Sequence, residues 1–102
     1  MLQDARIREI ALETAREAFA PRRVEDALVE PGFDSSGEDA LWIMIVIASA
    51  DMPLLNGSDM IRFMMTVRER LEREGEQRRS IPRFATPEDL AEDLIADADS
   101  EP

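Results

Sequence analysis

From Gln3 to Ala20, the residues Ile7, Ile10, Ala11, Thr14, Ala15, Ala18 and Phe19 recur at three- and four-residue spacing. Arg6, Glu9, Glu13, Arg16 and Glu17 take the opposite face. That period predicts an amphipathic helix over 3–20. Pro21 ends it, because the proline ring disfavours helical geometry at the preceding residue. Val24 to Glu30 alternates only loosely, but it runs into six turn-forming residues, Pro31, Gly32, Asp34, Ser35, Ser36 and Gly37. Beyond the turn come nine uncharged, largely apolar residues, Ala40 to Ala48. They are far short of the roughly 20 a membrane-spanning helix needs. Ile43, Ile45, Val46 and Ile47 are β-branched and Trp42 adds to the strand preference, so the run reads as a strand. With 24–30 it makes a β-hairpin, "DSSG" near its tip.

A second helix is expected over 56–74, capped by Asn56 or Ser58 and followed by Gly75. Met60, Met64, Val67 and Leu71 make its apolar stripe, with Ile61 and Phe63 flanking, and the helical spacing places Met60, Met64 and Met65 in the core. Ile81 to Ala85 reads as a short strand that Pro82 confines to a sheet edge. In "TPEDLAEDLIADA", Thr86 is the N-cap, Pro87 the first helical residue and Asp89 the third after the cap. Leu90, Ala91, Leu94 and Ile95 then form a narrow apolar stripe.

The expected fold is α+β, in the order α-β-β-α-β-α, with the first two helices on one face of a small three-stranded sheet. Its 102 residues suit one domain, 1–96, followed by an acidic tail, 97–102. The central strand sets a problem. Period two puts Leu41, Ile43, Ile45 and Ile47 on one face and Trp42, Met44, Val46 and Ala48 on the other, and both faces are apolar. Two helices cover only one of them. The other lies under the third helix, as core, or it is exposed, as an apolar interface.

Composition narrows the chemistry. The formal charge is −11, from 23 acidic and 12 basic residues, and every basic residue is arginine. Such a balance opposes binding to phosphate backbones and favours a basic partner or plain solubility. There is no cysteine, so no thiolate nucleophile, disulfide or thiolate metal site. Histidine, lysine and tyrosine are also missing, which removes the commonest general base and transition-metal ligand. Catalysis would rest on carboxylates, hydroxyls and arginine, and the expectation is a protein that is not an enzyme and needs no cofactor. The acidic residues in the first helix leave no apolar region for a secretory signal, so a cytoplasmic chain is expected.

Four features invite a functional reading. Asp34, Glu38 and Asp39 surround Gly37 but miss the spacing of a calcium loop, and a hairpin turn accounts for them. Arg78, Arg79 and Arg83 bracket the third strand as a candidate RNA contact, though Glu69, Glu72, Glu74 and Glu76 interleave with the arginines around them. From Thr86 onward there are seven acidic residues and no basic one, a solvated face or an acidic arm for a basic protein. The second face of the central strand is the fourth.

"DSSGEDALWIMIVI", the capped helix and "RRSIPRF" together resemble small acidic bacterial proteins of toxin–antitoxin gene pairs, over about residues 20–95. The resemblance implies a non-catalytic partner that masks a toxin, often an RNase. The α-β-β-α-β order also resembles ribosome-binding factor A, a KH-like domain, and "IPRF" is similar to that family's closing strand. That resemblance implies RNA or ribosome binding, but the chain has no G-x-x-G loop. The reading is therefore an acidic interaction protein that binds and masks a basic protein partner. Its expected contacts are Trp42, Met44, Val46, Leu90, Glu92, Asp93 and Leu94. A homodimer through the second sheet face is a further possibility, with neither membrane nor metal involved.

Overall fold

The computed structural model describes residues 2–91. Helix α1 spans Asp4–Phe19, strands β1 and β2 span Val24–Phe33 and Asp39–Ile47, helix α2 spans Gly57–Arg73 and strand β3 spans Arg79–Ala85. A third helix, α3, begins at 87–91. This is the α+β order α-β-β-α-β-α with a three-stranded sheet. The remainder of the expected third helix, the domain limit at 96 and the tail 97–102 lie outside the described residues.

The sheet order is β1-β2-β3, antiparallel between the first pair and parallel between the second. β2 is therefore central, and α2 provides the long crossover that a parallel neighbour requires. Pro82 sits in an edge strand, where its missing N–H costs no ladder bond on the outer side. β1 runs on through Pro31, Gly32 and Phe33, residues that the sequence pattern placed in the turn. The turn proper is tight: the Asp34 carboxylate accepts hydrogen bonds from the backbone N–H of Ser36 (2.8 Å) and Glu38 (3.0 Å). One carboxylate of the acidic trio is thus engaged in holding the turn.

A bulge lies between Val24 and Asp26. Its extra residue lets Val24 and Ala27, three apart, both face the helices and both be buried. The core forms between that sheet face and the two long helices. Ile7, Ile10, Ala11, Ala15 and Phe19 of α1 and Phe63, Val67 and Leu71 of α2 pack over Leu41, Ile43, Ile45 and Ile47. Phe19, Phe63 and Phe84 form an aromatic cluster with centroids 5.5 to 6.0 Å apart. Thr14, buried in α1, donates to the Ile10 carbonyl (2.7 Å) and accepts from Arg70 (3.0 Å), so its hydroxyl is satisfied.

The caps behave as their chemistry requires. The Asn56 side chain accepts from the Asp59 N–H at 2.8 Å, and Gly75 takes the left-handed conformation after α2 at φ 93°. At α3, the Thr86 hydroxyl and the Asp89 carboxylate each accept the other's backbone N–H at 3.1 Å, a reciprocal capping box.

The stripe of α2 differs from expectation. Phe63, Val67 and Leu71 are its buried residues and Met60 is partly buried. Met64 and Met65, expected in the core, are 44% and 68% exposed, and Ile61 is 58% exposed. Spacing at three and four residues fits either 60-64-67-71 or 60-63-67-71. The second holds because Phe63 completes the aromatic cluster and so sets the rotation of the helix.

Candidate binding groove on the second face of the sheet

The strand registers define the face turned away from α1 and α2. β1 contributes Asp26, Leu28, Glu30 and Gly32, β2 contributes Ala40, Trp42, Met44 and Val46, and β3 contributes Arg79, Ile81, Arg83 and Ala85. Glu30 stands toward one edge, where Asp26 is already paired with Arg8 of α1, arginines line the other, and apolar side chains the middle.

One end of this face is covered within the chain. Val46 is 4% exposed, and Ala48 and Ala85 are buried. Here α3 starts: Ser49 at the end of β2 donates a hydrogen bond to Glu88, which lowers the pKa of that carboxyl. Leu90, two residues further on, lines a groove with Trp42 and Met44.

That groove, about 600 Å³, occupies the rest of the face. Leu28, Trp42, Met44 and Leu90 give it an apolar lining, and among the described residues Glu30 and Arg83 are its ionisable side chains. Leu28 is 43% exposed, while Trp42 and Met44 are half-buried. The indole lies across the backbone of Gly32, where an added Cβ would come within 3.0 Å of both Trp42 Cδ1 and Nε1. Glycine is thus favoured there by close approach to the indole rather than by its turn-forming tendency. From the other side the Arg83 guanidinium stacks over the ring, 4.4 Å from its centroid, a cation–π contact worth roughly 0.5–1 kcal/mol at an exposed site.

The three arginines read as a candidate RNA contact do not form one surface. Arg78 is engaged with Glu76: its side chain is only 11% exposed and Nε stands 2.7 Å from the Glu76 carboxylate. Arg79 is exposed, its guanidinium 4.0 Å from Asp34, and Arg83 stacks on Trp42. Glu76 is itself 1% exposed and also accepts the Leu2 backbone N–H at 2.9 Å. The hydrogen bonds from Arg78 hold its carboxyl at about 2, against the opposing effect of burial. The Glu–Arg interleaving read along the sequence therefore includes one buried structural pair.

Of the expected partner contacts, Trp42, Met44 and Leu90 converge on the groove, Val46 is covered, and Glu92, Asp93 and Leu94 lie outside the described residues. Leu28, Gly32 and Glu30 were missed. The hairpin register carries the signal for them, since it pairs Leu28 with Met44 and Glu30 with Trp42.

Chemically, the groove can grip apolar surface and orient it between charges of opposite sign. Among the described residues its lining contains no hydroxyl or amide side chain. Among the described residues no group of three or more Asp or Glu side chains is placed to hold a metal ion, and no helix is long and apolar enough to cross a membrane. No family model matches the chain, and no curated protein or solved structure shows significant similarity to it.

Proposed function

We propose that the chain is a non-catalytic, acidic interaction protein that binds and masks a protein partner, in the manner of an antitoxin. The observation that carries the reading is the half-open apolar groove around Trp42. A strand face left partly open among the described residues over Leu28, Trp42 and Met44 offers an anchor of the kind that dominates protein interfaces, an aromatic flanked by arginine. Glu30 and Arg83 on opposite walls select the orientation of the segment that enters. The charge of −11 raises the encounter rate with a basic partner more than it raises affinity. The antitoxin comparison rests on the sequence resemblance alone. The KH-like alternative has less behind it, because Arg78 is committed to Glu76.

The test is paired capture from a lysate of the source cells, using the wild-type chain and Met44→Asp as baits. One basic protein, recovered in stoichiometric amount by the wild type and lost with Met44→Asp, supports the reading. Purified, that protein should shift the fluorescence of Trp42, the chain's sole tryptophan in the absence of any tyrosine. Recovery of no protein, or of the same proteins by both baits, refutes it.

A further inference from the structure

Six large apolar side chains are exposed among the described residues, and three of them, Ile61, Met64 and Met65, belong to α2. At 3.6 residues per turn, Ile61 and Met65 form a line roughly opposite the buried Phe63. Arg62 and Glu69 border that line on one side, and Met64 and Arg68 border it on the other.

We infer that this outward face of α2 is a self-association surface, on which a second copy packs its own α2 antiparallel about a two-fold axis at Met65. An isologous interface must be complementary to itself, and this face is. A two-fold at Met65 sets Met65 against its own counterpart and Ile61 against the aliphatic stem of Arg68 of the second copy. The same operation brings Arg62 across from Glu69 of the second copy, and it does so twice. Flank meets like flank in this arrangement, so Arg62 and Arg68, on opposite flanks, are kept apart.

The charges already stand ready for the exchange. Among the described residues Arg62 has only a loose partner, Asp59 at 3.9 Å, and its side chain is 68% exposed. Glu69 accepts from Arg73 at 2.5 Å and is 61% exposed. Association would join Asp59, Arg62, Glu69 and Arg73 into one alternating row across the interface. Methionine suits such a contact, because its flexible thioether adapts to an apolar neighbour. The groove at Trp42 lies on the far side of the sheet from α2, so this surface is separate from the proposed partner site.

Sedimentation equilibrium of the full chain, from micromolar to near-millimolar concentration, tests the inference. The wild type should approach twice the chain mass of 11.5 kDa, with Trp42 emission unchanged as it associates. Met65→Asp and Ile61→Asp, both at exposed positions, should stay monomeric while circular dichroism shows each folded. Arg62→Glu should weaken the dimer by about tenfold, through loss of two pairs and gain of two repulsions, and Arg62→Glu with Glu69→Arg should restore it. A wild type that remains monomeric, a dimer indifferent to both aspartate substitutions, or failure of the charge exchange to restore association overturns the proposal.

Discussion

Glu76→Gln tests the least expected feature of the molecule. The carboxylate is 1% exposed and accepts four hydrogen bonds: from the Leu2 N–H (2.9 Å), the Arg78 N–H (3.2 Å), Arg78 Nε (2.7 Å) and Arg78 Nη2 (3.2 Å). It pins the start of the chain to the α2–β3 connection. Its pKa in the folded chain, about 2 against an ordinary 4.5, means that the folded state favours the charged form. The stabilisation is therefore fully present above pH 4.5 and is lost as the pH falls toward 2. At 1.36 kcal/mol for each pH unit, that difference corresponds to about 3 kcal/mol. Glutamine imitates the protonated acid, so Glu76→Gln should cost the same about 3 kcal/mol at pH 7. This falls at the low end of the cost of stripping one partner from a buried ion pair. In urea unfolding, with a slope near 1 kcal/mol per molar for a chain of this size, the midpoint should fall by about 3 M. Repeated at pH 2.5, the gap between the two proteins should shrink to about 1 kcal/mol, because the wild type then pays much of the protonation cost itself. Subtraction of the two proteins cancels the other carboxylates, including Glu74, which Arg6 also holds low. A gap below about 0.5 kcal/mol at pH 7, or one that does not change with pH, would refute the reasoning.

Two further outcomes follow from packing. Phe63→Ala removes a ring with no exposed surface from the contact with Phe19 and Phe84, and should cost about 3–5 kcal/mol in urea unfolding; a loss under about 1 kcal/mol would mean that the cluster does not set the orientation of α2. Gly32→Ala puts a methyl group 3.0 Å from the indole, so Trp42 must tilt and its emission maximum must move. The change in stability should stay within about 1 kcal/mol, because relief of glycine's backbone entropy offsets the crowding; an unchanged spectrum would show that the ring does not lie on Gly32.

The elements were legible because their signals are local. The cap at Asn56, the capping box of Thr86 and Asp89 and the glycine after α2 depend on residues within one turn of each other. The β-branched run of β2 declared a strand with two apolar faces before any neighbour was known. The candidate site was half legible for the same reason. Trp42 and Met44 stood out on the strand that carries them. Leu28, Glu30 and Gly32 reach the groove only through the hairpin register, and Arg83 only through the parallel pairing of β3.

Sequence alone determined the type and order of the main helices and strands, the acidic balance, and the absence of thiol, imidazole and ammonium side chains. The tertiary structure decided three other matters. It chose which stripe of α2 is buried, because helical spacing tolerated two solutions and only Phe63 meets Phe19 and Phe84. It made Glu76 and Arg78 a buried pair, although their neighbours in the same charged stretch, such as Glu72 and Arg73, are exposed. It also divided the second face of β2, covering Val46 while leaving Trp42 and Met44 beside an open groove. Each of these depends on side chains brought together from distant parts of the chain, and short-range periodicity does not encode such meetings.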